Sequence, residues 1–388
     1  MTDAQHYDDG LTDTIETAAA AGVRSVFASP HTSDWPELLT GAKRGDAARS
    51  GLGFARLVRA LAAGRGNAQH AAHFADTVLR DSVVAKALAA GSGTAGGFLV
   101  PDDIASDVIE ALRPVSVVRA AGAAVVPMEG GTLLMPRLAG GAIADYVGEN
   151  QALPRSEPTF SQIRMTARKL AAIVPVSNDL LRQTRGAADR IVRDDLVAAL
   201  GQREDAAFLR DPGLGNAPKG LRWWAPAGNV FAANGTVSLA NTTADLGKLV
   251  LALKQANSRM RTPAWFMAPR TEQYLLTLRD TSGRFVYRDE MVTGSLWGYR
   301  VQVSTQIPVT LGAGAESEII LADMADAVIA EQPGLLVDAS PDAAYHDGTG
   351  LVAAFSLDQT VVRCIALHDF AMRNDASVAV LTGVTWAP

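Results

Sequence analysis

The chain has 388 residues, 48% of them hydrophobic and 20% charged, and carries a net charge of -6. That length suits two or three packed units, and the charge balance sets up no overall positive field for nucleic acid or an anionic membrane. The single cysteine, Cys364, excludes an internal disulfide and a thiolate metal site, and no apolar run reaches the roughly 18 residues of a membrane span.

The N-terminal stretch MTDAQHYDDG lacks the basic start and apolar core of a signal peptide, so a reducing cytosol is the expected setting. Residues 1–50 are loosely patterned and read as weakly structured. Residues 52–63 then set Leu52, Ala55, Val58 or Arg59, and Ala62 at helical spacing, and the alanine-rich stretch 68–90 also predicts helix. Gly91-Ser92-Gly93-Thr94-Ala95-Gly96-Gly97 is a flexible joint and the clearest boundary in the chain. Phe98-Leu99-Val100-Pro101 is a short apolar anchor. Residues 102–112 predict a short helix, opened by Asp102 or Asp103 and closed by Pro114.

Residues 123–177 change character. Val125-Val126-Pro127 and Leu133-Leu134-Met135-Pro136 are β-like pieces punctuated by Gly130-Gly131 and Gly140-Gly141. Residues 143–158 are polar, 159–168 alternate through Phe160, Ile163 and Met165, and 170–176 are apolar again. The pattern predicts two strand-like legs joined by a polar tip, about fifteen residues and roughly 50 Å per leg. A lone two-stranded ribbon is marginal in water and exposes unpaired edges. It must rest either on a neighbouring copy of the chain or on its own domain, and the residues leave both open.

Residues 186–210 predict a long helix, close to 37 Å at about 1.5 Å per residue, stopped by Asp211-Pro212-Gly213. Ala188, Val192, Leu196, Ala199 and Leu200 form its stripe, with Ile191 at the margin; Asp189 with Arg193, and Arg190 with Asp194, suit its exposed face. Leu246, Leu249, Val250, Leu253 and Met260 mark a second helix over 243–260, capped by Thr242 or Thr243. Trp265-Phe266-Met267-Ala268 reads as a buried strand, Pro269 opens a helix to about Leu278, and Asp280-Thr281-Ser282-Gly283 is a turn. Strands are expected at 299–303, 318–322 and 334–338, a short helix near 324–330, and strands again through 351–384.

Little here could build a catalyst. Gly91, Gly93 and Gly96 spell G-x-G-x-x-G, but a helix-like stretch precedes them and Pro101 follows, which is the wrong context for a dinucleotide loop. Cys364 and His368 would lie on one face of a strand, about 13 Å apart, too far for a nucleophile and its base. His31 and Asp34 are too few for a metal, and Trp223-Trp224 reads as a core or edge-covering pair. No catalytic, cofactor or metal site is expected.

An ordered series of stretches carries a resemblance. They are Gly96-Gly97-Phe98-Leu99-Val100-Pro101, Val176-Ser177-Asn178-Asp179-Leu180-Leu181, Glu204-Asp205-Ala206-Ala207-Phe208-Leu209 and Pro218-Lys219-Gly220-Leu221. They continue through Trp265-Phe266-Met267-Ala268-Pro269-Arg270-Thr271, Gly294-Ser295-Leu296-Trp297-Gly298-Tyr299, Val361-Val362-Arg363 and Ala379-Val380-Leu381-Thr382-Gly383. From about Gly91 to Val384 the chain resembles the major capsid proteins of tailed bacteriophages, with the Hong Kong 97-type fold.

The resemblance implies an α+β chain divided into an N-terminal arm (93–122), an extended loop (123–170), a peripheral domain with a spine helix (171–221), an axial domain (222–337), and peripheral strands with a C-terminal return (338–388). Residues 1–92 would be a helical scaffold-like or pro-segment removed by a maturation protease, or else a retained tail. Copies would form hexamers and pentamers of an icosahedral virion shell, assembled in the host cytoplasm with the portal and prohead protease of the same phage. The shell would enclose double-stranded DNA without binding it specifically. An encapsulin-like compartment packaging a cargo enzyme shares the fold; the long N-terminal segment favours the phage reading. An unrecognised soluble enzyme is the remaining alternative.

Some members crosslink subunits through a loop lysine, an asparagine and a catalytic glutamate. Here 129–168 has no lysine, the other two positions fall near Gln359 and Ala366, and 360–367 has no glutamate, so no crosslink is expected. Arg137, Asp145, Glu149, Arg155, Glu157 and Arg164 on the extended loop are the candidate inter-subunit contacts, because arginine forks onto carboxylates. Each exposed pair is weak, about 0–1 kcal/mol.

Overall fold

The computed structural model describes residues 52–64, 67–90, 98–99, 116–140, 159–179, 187–332 and 336–387. The expected glycine joint, the helix at 102–112 and the polar tip at 143–158 lie outside the described residues.

Two six-stranded sheets organise what is described. The first is built around the 14-residue strand Gln359–Met372, whose valines and isoleucine favour extended backbone. Its length lets it take three antiparallel partners. Arg168–Ser177 pairs along Gln359 to His368, Leu336–Ser340 along Val361 to Ile365, and Ala327–Glu331 along His368 to Met372. Phe98–Leu99 extends the sheet at one end, and Ala124–Pro127 pairs parallel with Ala327–Glu331 at the other.

The second sheet runs in the order Val230–Ala232, Val378–Val384, Ser317–Asp323, Pro263–Met267, Tyr299–Val303, Ser295–Leu296. Every residue of Ser317–Asp323 is buried. Ile320 and Ala322 face one apolar cluster, with Phe208 and Phe370; Ile319 and Leu321 face another, with Leu246, Leu249 and Leu253. The last strand, Val378–Val384, follows the long strand of the first sheet in the chain but pairs only in this second sheet.

Ala327–Glu331 corrects a sequence expectation. Only Met324–Asp326 is helical, a 3-10 turn, and the expected short helix is otherwise a strand of the first sheet. All five strand residues are buried, so neither face meets solvent and the alternation that marks a half-buried strand is missing.

The helix Leu239–Gln255 is capped by Ser238, whose hydroxyl accepts from the Asn241 N–H, and not by Thr242 or Thr243. Those threonines serve tertiary contacts: Thr242 meets the Tyr274 hydroxyl at 3.2 Å and Thr243 the Tyr287 hydroxyl at 2.7 Å. Asn257 turns left-handed (φ 54°) just past the helix, so Met260 falls outside it. The helix Pro269–Thr277 begins on its proline as expected.

In the spine helix Ala187–Arg210, Leu196 and Leu200 are buried, but Ala199 is exposed and Val197 replaces it in the packed face. The side chains of Ala188, Ile191, Val192 and the two expected ion pairs lie outside the described residues. Before it come the helices Leu52–Ala63, Ala68–Phe74 and Ser82–Ala90, the middle one running on as a π turn, Ala75–Leu79. Leu57 and Leu61 join Val58 and Ala62 inside, a wider stripe than the spacing predicts. Asn67 caps the second helix, and left-handed Arg80 (φ 52°) breaks what the sequence reads as one run.

Candidate inter-subunit surface

The ribbon pairs Thr132–Gly140 with Thr159–Thr166, antiparallel from Thr132 opposite Thr166 to Leu138 opposite Phe160. The described parts of these legs are 9 and 8 residues long, and the tip between them lies outside the described residues. Beyond Ala167 the second leg runs straight into Arg168–Ser177, so ribbon and first sheet are one continuous extended segment. At the ribbon's base, Gly130 (φ 69°) and Gly131 (φ 77°) adopt the left-handed region that a side chain resists. There the Ala167 N–H donates to the Gly131 carbonyl at 2.9 Å.

The two faces of the ribbon differ. Ile163 and Met165 turn inward and pack with Met128 on Val328, Ala330 and Ala371 of the first sheet's region. The Thr166 N–H donates to the Asp369 carboxylate at 2.8 Å. On the opposite face Leu134 is 56% exposed, and Pro136, Gln162 and Arg164 are exposed beside it. The described base of the ribbon therefore rests on its own chain, the second of the two alternatives that the sequence leaves open. The next strand, Arg168–Ser177, alternates likewise and leaves Ile173 52% exposed.

Of the six candidate contacts, Arg137 pairs within the chain with Asp375, both partly exposed, and Arg164 is exposed. Asp145, Glu149, Arg155 and Glu157 lie outside the described residues. A second exposed apolar group goes unmarked in the sequence reading: Leu351 opens the second strand of the hairpin Ala344–His346 with Leu351–Ala353, and Phe355 and Leu357 come just after it. The available signal was three large apolar residues crowded between Gly350 and Asp358.

A buried charge knot holds the ribbon's base. Arg119, on the helix Val117–Ala120, donates to Glu204 of the spine helix at 2.5 and 3.0 Å and to Glu331 at 3.2 and 3.3 Å. All three side chains are nearly solvent-free. The Met128 N–H donates to the Glu331 carbonyl at 2.8 Å, tying the knot to the ribbon's entry. Next to it, Asp205 accepts from the Ser116 hydroxyl at 2.8 Å and the Val117 N–H at 3.1 Å, and burial pushes its carboxyl up to about 6.

Cys364 and His368 both sit on the long strand but in different surroundings. Cys364 lies in the apolar cluster with Leu57 and Leu200, where burial pushes its thiol up to about 12, so it stays protonated and a poor nucleophile at neutral pH. His368 packs edge-on against Phe208 with ring centroids 5.1 Å apart, and burial lowers its pKa. Trp223 and Trp224 end the spine region: their indole N–H groups donate to the Arg210 and Lys219 carbonyls, both at 2.8 Å. Among the described residues no group of three metal-ligating side chains converges. The described ribbon thus has one face packed on its own chain and the other, with Leu134, Pro136, Gln162 and Arg164, exposed.

Comparison with known proteins points the same way. The model of the phage capsid family matches residues 96–383. The major capsid protein of Klebsiella oxytoca phage phiKO2 is 39% identical over 377 residues, covering 96% of this chain and 86% of that protein. The capsid polyprotein of Pseudomonas phage PAJU2 is 29% identical over 384 residues; that is 91% of this chain, which spans 57% of that longer protein. A solved structure from Mycobacterium phage Adephagia superposes with a TM-score of 0.54 at 20% identity, covering 70% of this chain and 91% of its own. The capsid of a native GTA particle gives 0.55 at 19%, covering 69% and 90%.

Proposed function

The chain belongs to the phage capsid family, as a major capsid protein of the Hong Kong 97-type fold, and we propose that its copies close into hexamers and pentamers of an icosahedral head around double-stranded DNA. The observation that carries this reading is the match to a phage major capsid protein along 96% of the chain. The ribbon supports it physically. Its base is fixed by the chain's own charge knot, so its outer face, with Leu134 and Arg164, is held ready for a neighbouring copy.

In this reading Arg137, Asp145, Glu149, Arg155, Glu157 and Arg164 contribute inter-subunit contacts, with Arg137 shared between Asp375 of its own chain and a neighbour's carboxylate. The role is structural, with no catalytic step. The net charge of -6 suits a wall that encloses nucleic acid without gripping it. The portal and prohead protease of the same phage complete the set of partners, and assembly takes place in the host cytoplasm. With no lysine in 129–168, the shell is held without isopeptide links, and mature particles run as one subunit band on a denaturing gel; a covalent ladder contradicts this.

The direct test is sedimentation and electron microscopy of the purified full chain. Closed shells or ring-shaped capsomers support the reading. A monomer or small oligomer at every concentration overturns it. Particles that carry an enzyme instead of DNA favour a cargo compartment.

A further inference from the structure

We propose that residues 52–90 are a permanent part of the shell subunit, a helical apron over the first sheet, and that any removable N-terminal segment stops short of Leu52. This revises the expected single segment 1–92. It rests on the capsid reading only for the word shell.

Three observations carry it. The apron is core, not appendage: Leu57, Leu61 and Leu88 interlock with Leu196 and Leu200 of the spine helix and Val362 of the long strand, all six at most 1% exposed. The apron is also internally braced. Asn67 caps the second helix, Asp81 accepts from the Val83 and Val84 N–H groups at the third, and Arg56 of the first pairs with Asp81 at 2.8 Å. Finally, residues 52–90 fall in the same compact unit as both sheets, although the glycine-rich stretch at 91–97 separates them in sequence.

The physical consequence is plain. A cut in the glycine stretch severs one covalent connection and leaves the packing intact. Stripping the apron away would expose Leu196, Leu200 and Cys364 to water and undo the cluster that supports the first sheet. The family match begins only at residue 96, so the apron is laid over the matched region by sequence outside it. The face beneath it is already occupied by the same chain, and neighbours must dock elsewhere, on the ribbon's outer face or the Leu351–Leu357 surface.

The test places a recognition site for a sequence-specific protease between Gly93 and Thr94 of the full chain. After cutting under native conditions, the piece ending at Gly93 should stay with the body through gel filtration and come away only in denaturant. Leu61→Asp in the cut chain should release it. A wild-type piece that leaves while the remainder stays folded and soluble overturns the proposal. Should the inserted site block folding, mass spectrometry of mature particles decides. Peptides from 52–90 as abundant as those from 359–372 support the apron, and their loss refutes it. Failure to form particles would count against the capsid reading alone, because retention of the piece is read on the single subunit.

Discussion

The central strand of the second sheet and the two strands of the ribbon are built from similar residues and meet opposite fates. Ser317–Asp323 is buried along its whole length, with Ile319 and Leu321 covered by one helical layer and Ile320 and Ala322 by the opposite cluster. In the ribbon, Ile163 and Met165 are covered by the chain's own body, whereas Leu134 and Arg164, paired across the strands, face outward. One sheet is completed by its own chain; the other is completed on one face only. Single exposed leucines are common on any surface. Here Leu134 on the ribbon and Ile173 on the strand that continues it are both more than half exposed, as a face awaiting a partner would be.

This contrast can be broken at its strongest point, the charge knot. Arg119→Met leaves Glu204 and Glu331 buried without their cation, and breaking a buried pair in this way costs about 3–5 kcal/mol. Denaturant unfolding of the isolated subunit should show that loss. A variant as stable as the wild type would mean that the knot does not anchor the ribbon's base. Leu61→Ala in the apron should come next, at about 2–4 kcal/mol, as expected for truncating a fully buried leucine. A cost near zero would place the apron outside the cooperative core.

Asp205 sharpens the comparison through pH. Burial raises its folded carboxyl from an ordinary 3.8 to about 6, with the neighbouring Glu204 adding to the rise. The folded state therefore holds the proton more tightly than the unfolded chain does. This contribution to stability is fully present below pH 3.8 and is lost as pH rises through about 6. The expected size is of order 1–3 kcal/mol. Urea melts across that range should show the decline superimposed on other titrations, and Asp205→Asn should flatten it. An unchanged slope in the variant would assign the pH dependence to another group.

Much of this architecture was legible because it is local. The Pro269 start, the Pro263–Met267 strand, the spine helix and the ribbon legs each announce themselves within a dozen or so residues by period or punctuation. What stayed hidden is long-range. Nothing near Arg119 names Glu331, 212 positions away, although a lone charge within Val117-Val118-Arg119-Ala120-Ala121 is a usable sign of a buried pair. Ala327–Glu331 does not read as a strand because burial on both faces erases its alternation. The Ser238 cap is masked in the sequence by Thr242 and Thr243, good cap residues that belong instead to contacts with Tyr274 and Tyr287. The ribbon's own-chain footing depends on Val328, Ala330 and Ala371, which no reading of residues 123–177 could supply.

The smallest effect on the subunit should be the most telling for the shell. Leu134→Asp replaces a side chain that is 56% exposed, so the isolated subunit should lose no more than about 0.5 kcal/mol. The same aspartate must be desolvated if a neighbouring copy covers this face, and it would then repel carboxylates that approach Arg164. A normal melting curve combined with the absence of particles by sedimentation is therefore the expected pair of results, the reverse of what a merely destabilising change gives. Leu321→Ala is the control from the completed sheet: it should destabilise the subunit by about 2–5 kcal/mol. If Leu134→Asp assembles as well as the wild type, the outward face of the ribbon is ordinary wet surface, and the contacts that close the shell must be sought at Leu351, Phe355 and Leu357 instead.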